Sequence, residues 1–309
     1  MRYFDDDTWG VAPAPAGEPA IELAAMAVAA LCDELDLTPK PGLVDRGSTG
    51  AHLDMDHALM TASALALEPG FALIAQVSRE AADPVARRAA IGAAGREAEA
   101  AMMIATHGVN THRGAIWALG LIVAAAAAGP RSHWQAPKLL ARVAELAAID
   151  DPALPPSPMA SHGQRAVARY RVAGARGEAM AGFRQITTAG LPALRAGRAT
   201  AATETAARLD ALAAIIAVLD DTCVLHRAGA AGLVAVQDRA AAVAVAGGAD
   251  TAAGRRALAA LDAELIARNA SPGGAADLLA ATLFIDRLET AAERRRSVFQ
   301  ESDHANAIA

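Results

Sequence analysis

Apolar residues recur at three- and four-residue spacing along most of the chain, which predicts helices rather than strands. The stretches with this spacing are residues 18–37, 54–67, 70–82, 85–106, 134–148, 178–194, 200–220, 229–246, 250–269 and 273–296. Residues 114–130 are so continuously apolar that they read as a buried central helix, with Thr111 placed to cap its start and Gly129-Pro130 ending it. That run is shorter than the roughly 20 residues a membrane-spanning helix needs, so no membrane association is expected.

The breaks in the pattern are as informative as the helices. Pro39 and Pro41 forbid a helix across residues 38–42 and predict a rigid extended loop. A segment rich in Asp and Pro at 150–158 is the natural place for an inserted connection. Polar motifs fall on both sides of it, which favours one domain over two. The expected organisation is a flexible Pro/Ala-rich leader over 1–18, a single helical catalytic domain over 19–297 and a loose tail over 298–309.

Composition strengthens the helical reading. Of 309 residues 54% are apolar, mostly Ala and Leu, and only 3% are aromatic, which predicts an all-α, single multi-helix bundle-like domain with its site at helix ends and connecting loops. A net charge of −6 argues against a broad nucleic-acid surface, so any phosphate site must be local. Two cysteines, Cys32 and Cys223, are too few for a disulfide framework, and no basic and apolar leader pattern is present; a cytoplasmic protein is expected.

Five polar segments interrupt the Ala/Leu background. Ser271 is a good N-cap, Pro272 suits a first helical turn, and Gly273 with Gly274 leaves backbone N–H groups uncovered, so this helix start is a candidate phosphate seat. Asp277, one turn in, suggests a bridging metal; an ordinary capped helix is the alternative. Lys40, held between prolines, is a candidate phosphate cation, and Asp54 with Asp56 could hold Mg²⁺, or else serve only a helix N-terminus. His107 through Gly114 joins Asn110, Thr111, His112 and Arg113 at a helix start that faces an anion or a ribose; a two-histidine zinc site there lacks a third ligand. Asp220 and Asp221 end an apolar helix, against its dipole, and call for Arg227, a metal or a following helix start as compensation. Glu178 follows Gly174 and Arg176 at one more helix start.

Taken in order, Thr38-Pro-Lys-Pro-Gly-Leu-Val-Asp45, Gly50-Ala-His-Leu-Asp-Met-Asp56, Gly108-Val-Asn-Thr-His-Arg-Gly-Ala115, Gly174-Ala-Arg-Gly-Glu178 and Ser271-Pro-Gly-Gly-Ala-Ala-Asp277 resemble the triphosphoribosyl-dephospho-CoA synthases. These enzymes make the prosthetic-group precursor for citrate lyase and malonate decarboxylase. The resemblance implies that the 2′-hydroxyl of 3′-dephospho-CoA attacks C1′ of the ATP ribose, adenine leaves and the triphosphate stays attached.

On that basis Lys40, Asn110, Thr111, Arg113, Arg227, Ser271, Gly273 and Gly274 are expected to bind substrate and phosphate. Asp54, Asp56, Asp221 and Asp277 are expected to hold Mg²⁺. His52, His112, Asp45 and Glu178 are candidates for proton transfer, an unperturbed imidazole titrating near working pH. Product would pass to a separate acyl-carrier-protein transferase, in the malonate or the citrate system, which share the prosthetic group; overall likeness leans to malonate. Ala-rich faces would also suit a homodimer. The alternatives are another Mg²⁺-dependent helical hydrolase or transferase acting on a nucleotide or diphosphate, and a non-catalytic helical adaptor.

Overall fold

A computed structural model of the chain describes residues 17–154, 161–200 and 202–308; all but the end of the expected leader, and positions 155–158 of the Asp/Pro-rich segment, lie outside them. The described residues are helical, with no strand. In chain order the helices are α1 (Glu18–Leu35), α2 (His57–Ala66), α3 (Glu68–Glu80), α4 (Pro84–Ala105), α5 (Arg113–Ala127), α6 (Ala136–Ala148), α7 (His162–Tyr170), α8 (Gly174–Met180), α9 (Leu191–Ala199), α10 (Glu204–Ile216), α11 (Thr222–Val245), α12 (Ala252–Ala267) and α13 (Gly273–Ile308).

Helix α5 is the axis of the core, because an Ala-rich helix with no polar face must be covered all round. Residues 118–126 are all buried, and α1, α3, α4, α6 and α13 pack around it. Helix α13 contributes the fully buried Phe284, Ile285 and Leu288, and α1 contributes Leu23, Ala27 and Leu31. Helices α10, α11 and the π-helical turn Ile186–Gly190 lie on the α13 side, with α12 on α11. Two apolar stretches, His57–Glu80 and Thr222–Val245, are long enough by length and composition to cross a membrane. The first packs on α1, α4 and α5, and the second is bent at Gly229 and packs among α7, α10 and α12.

The structure departs from the sequence reading in four places. Residues 178–194 do not form one helix: Gly182 (φ 70°) and Phe183 (φ 45°) turn the chain so that Phe183 enters the core, and a π-helical turn at Ile186–Gly190 leads into α9. A side chain at 182 would lie 3.1 Å from the Leu140 carbonyl oxygen, so glycine is required there for approach as well as conformation. Helix α11 begins at Thr222 rather than at Gly229, which is instead an internal bend with φ 71°. Helix α7 was not anticipated, although Ser161 and Gln164 form a capping box at its start. Finally, α13 continues past residue 296 to Ile308.

Candidate active site

Four carboxylates meet in one cleft where α5, α8, α11 and α13 approach one another. Glu178, Asp220, Asp221 and Asp277 line it beside Thr222, Gly114 and Gly274, with Trp117, Phe183 and Leu278 as apolar wall; it encloses about 450 Å³ including its open mouth.

Two of these acids close helix starts that belong to other elements. Asp221 is the N-cap of α11, accepting from the Cys223 N–H at 2.7 Å, and its second oxygen accepts from the Ala275 N–H of α13 at 3.0 Å. A Cβ at Gly274 would stand 3.1 Å from that carboxylate, so the glycine admits Asp221. Asp277 in turn accepts a backbone hydrogen bond from Ala115 in the first turn of α5. A methyl group at Gly114 would overlap the Asp277 carboxylate. The first-turn donors and dipoles of α13 and α5 are thus met by aspartates from within the chain.

Burial raises the pKa of all three deeper acids, because a desolvated carboxylate loses its hydration. Asp277 is pushed well above the usual range by burial and then by the negative charges of Glu34 and Asp221. Asp221 is raised by burial against the opposing hydrogen bonds from Cys223 and Ala275. Glu178 is raised by burial and by Asp220, with a Gln185 hydrogen bond opposing. The cleft is therefore a cluster of acids short of positive charge.

Several expected site residues take other positions. Ser271 does not cap α13: its buried hydroxyl has no hydrogen-bond partner, and Asp221 supplies the cap. Gly273 and Gly274 are consequently no empty phosphate seat, since Asp221 and Cys223 already lie against them. Thr111 does not cap α5 either; its hydroxyl meets Ser63 at 2.6 Å. The acids at 220–221 find the compensation their position demands in the following helix start, which Asp221 caps.

Lys40 is buried and paired with Glu34 at 2.5 Å, so its charge is spent inside the fold. Asp45 ties its own loop, accepting from the Lys40 N–H at 2.8 Å and from the Gly47 and Ser48 N–H groups at 2.7 and 2.8 Å, which leaves it unsuited to act as a base.

The expected metal quartet is divided. Asp221 and Asp277 line the acidic cleft, whereas Asp56 caps α2 through the Leu59 N–H and exposed Asp54 lies 3.6 Å from His52; neither lines the cleft. Among the described residues no group of three or more His, Cys, Asp or Glu side chains converges as a metal cage. Mg²⁺ does not require one, since it is commonly held by one or two carboxylates together with waters and substrate oxygens. Asp221 and Asp277, both held in a desolvated acidic cluster, suit that role.

Neither histidine lines the cleft. His112 is buried, its Nδ1 2.7 Å from the Ser63 hydroxyl and its Nε2 unpartnered; burial, with Lys40 adding to it, lowers its pKa to about 4. His52 is half-buried and its pKa is also lowered, by burial and then by Arg227. Both are neutral imidazoles at neutral pH. Arg227 donates to the Ala51 carbonyl at 3.1 Å, tying α11 to the loop that carries His52. Asn110 is exposed, and Arg113 is exposed and paired with Glu99.

Sequence reasoning singled out Asp220 beside Asp221 without naming it a site residue, and passed over Trp117 and Glu34. Glu34 carried a readable signal: it continues the buried stripe of Leu23, Ala27 and Leu31 along α1, where an acid demands a partner.

Comparison with known proteins bears on the family of the chain. The CitG family model, ATP:dephospho-CoA triphosphoribosyl transferase, matches residues 20–296. A probable 2-(5''-triphosphoribosyl)-3'-dephosphocoenzyme-A synthase of Pseudomonas paraeruginosa is 56% identical over 270 residues, covering 87% of this chain and 91% of the relative. A protein of the same description from Azotobacter vinelandii is 54% identical over 283 residues, covering 90% and 95%. No solved structure matches the chain.

Proposed function

Because the chain belongs to the ATP:dephospho-CoA triphosphoribosyl transferase family, and is thus a transferase acting on ATP and dephospho-CoA, we propose that the acidic cleft is where the ribosyl group changes hands. The observation that supports this is the convergence of Glu178, Asp220, Asp221 and Asp277 on one partly apolar cleft. Substitution at C1′ of the ATP ribose develops positive charge on the sugar as adenine departs. Fixed carboxylates in a desolvated cleft stabilise that charge more than water does, and they need no reorganisation.

Glu178 is the base for the 2′-hydroxyl of 3′-dephospho-CoA. Its raised pKa brings it closer to the working pH than an ordinary glutamate, and it stands in the cleft, unlike Asp45. The hydroxyl oxygen bonds to C1′ as the C1′–N9 bond breaks, the hydroxyl proton passes to Glu178, and the departing adenine takes a proton from solvent water, which Glu178 restores on releasing its own. The triphosphate remains on C5′. His52 and His112 stand outside the lining of the cleft and are neutral at neutral pH, so neither supplies a cationic acid to this step. Asp221 and Asp277 would hold Mg²⁺, which supplies charge to offset the substrate phosphates and the clustered acids.

The product is the precursor of an acyl-carrier prosthetic group that a separate transferase would attach, in the malonate decarboxylase or the citrate lyase system. We place this work in the cytoplasm and allow for a homodimer through Ala-rich helix faces. The test of the base assignment is Glu178→Gln: kcat is expected to fall at least 100-fold with KM for ATP little changed, and the acidic limb of the pH–rate profile is expected to disappear. A retained limb with near-wild-type kcat would move the base elsewhere.

A further inference from the structure

Helix α5 separates the acidic cleft from a second one of opposite character. Positions 113, 116, 117 and 120 lie on one helix face and line a cleft of about 690 Å³ including its mouth, whereas 114, 117 and 118 line the acidic cleft. Trp117 belongs to both and forms the partition; its indole N–H donates to the Ala175 carbonyl at 3.1 Å, which fixes the ring.

The second cleft gathers Arg88, Arg96 and Arg113 from α4 and α5 against two acids, Asp151 and Glu99. Three guanidinium groups thus line one cleft against two carboxylates. Arg96 meets Asp151 at 2.7 Å and Arg113 pairs with Glu99. Arg88 is 8% exposed, lies over the Trp117 ring at 5.4 Å, and reaches Asp151 only at 3.6 Å, beyond hydrogen-bond distance. Its Nε is buried with no partner. A buried guanidinium N–H without an acceptor costs free energy that a bound anion would return. The cleft floor is also cleared of side chains: a Cβ at Gly95 on α4 would meet nothing within 4 Å, and Gly92 lies against Asp151.

These observations rest on side chains other than those the acidic cleft uses, and they supply what that cleft lacks. Lys40 is neutralised by Glu34, and the α13 helix start is filled by Asp221, whereas the unmet Arg88 donor belongs to a residue that lines an open cleft. We propose that the arginine cleft binds the phosphoanhydride chain of a nucleotide substrate, the triphosphate of ATP or the diphosphate of dephospho-CoA. The chain lies on the Arg88 side of Trp117 and the reacting ribose on the Asp277 side. The proposal rests on the transfer reading for the identity of the ligand, but the anion site itself does not require it.

The test is calorimetric titration of the full chain with ATP, 3′-dephospho-CoA, tripolyphosphate and pyrophosphate, using Arg88→Gln, Arg96→Gln and Gly95→Leu. Arg88 packs on Trp117 and its loss bears on folding, so the partly exposed Arg96 and the open Gly95 position, where a Cβ meets nothing within 4 Å, keep the test decisive. At least tenfold weaker binding of one substrate and of its matching polyphosphate, with the other substrate bound normally, is expected. Loss with ATP and tripolyphosphate assigns the triphosphate, and loss with dephospho-CoA and pyrophosphate assigns the diphosphate. Dissociation constants within twofold of wild type for both substrates in folded Arg96→Gln and Gly95→Leu would overturn the site, as would failure of the wild-type protein to bind any of the four. Wild-type adenine release with unchanged variant binding would leave the transfer reading standing and the cleft assignment refuted; polyphosphate binding lost in the variants, without transfer by the wild type, would do the reverse.

Discussion

The Asp277 carboxylate, carried one turn inside α13, closes the start of α5 and occupies the space a side chain at Gly114 would need. This contact ties α13 to the start of α5 and sets a carboxylate in the acidic cleft. Gly114→Ala is expected to displace Asp277, costing about 1–3 kcal/mol by overpacking and lowering turnover at least 100-fold. Asp277→Asn separates the two effects, since the amide oxygen still accepts from Ala115. Its thermal midpoint is expected to equal or exceed that of the wild type at neutral pH while adenine release falls by 10²- to 10³-fold. The sign follows from the raised pKa: the wild-type acid favours folding below its unfolded pKa and loses that contribution as pH rises through the higher folded value. Comparable loss of turnover in Asp54→Asn would restore the undivided metal quartet.

Lys40 and Glu34 form a buried ion pair, so the role expected of Lys40 can be separated from the one the structure gives it. Lys40→Met leaves Glu34 charged and unpaired in the interior and is expected to destabilise the fold by about 3–5 kcal/mol. The double variant Lys40→Met, Glu34→Gln is expected to recover most of that loss in denaturant unfolding. If Lys40→Met folds normally and only ATP affinity drops, the lysine faces the phosphates after all.

His112 makes the fold acid-sensitive in a defined window. Its folded pKa of about 4 lies below the ordinary histidine value, so its contribution to stability is complete above pH ~6.5 and is lost as pH falls toward 4. A gap of this size is worth about 3 kcal/mol. Unfolding measured at pH 7 and pH 4 is expected to show a smaller drop for His112→Gln than for the wild type. Equal drops would mean that other groups set the acid limb.

Much of this arrangement was legible in the sequence because spacing and helix punctuation are local signals. The unbroken apolar run that forms α5, the proline-locked loop at 38–42 and the set of helix starts bearing Gly114, Glu178 and Asp277 all follow from short stretches. What was not legible is which side chain serves which backbone. Ser271 and Thr111 have the right chemistry to cap their own helices, yet Asp221 and Asp277 do so from other elements. Only the tertiary approach of α11 to α13, and of α13 to α5, decides that competition. The same holds for Lys40, whose flanking prolines pointed to a ligand while its partner lay six residues upstream in α1. Nothing in the local pattern of α4 marks Arg88 and Arg96, which only the tertiary approach of Asp151 and Trp117 brings into one cleft.

The most direct measurement is to incubate the purified chain with ATP, Mg²⁺ and 3′-dephospho-CoA and follow adenine and the coupled nucleotide by liquid chromatography and mass spectrometry. Adenine release that depends on dephospho-CoA, with an adduct carrying the intact triphosphate and with both signals lost in Asp277→Asn, is the expected result. Formation of ADP or AMP in place of adenine, or an adduct formed equally well by Asp277→Asn, would contradict ribosyl transfer in the acidic cleft.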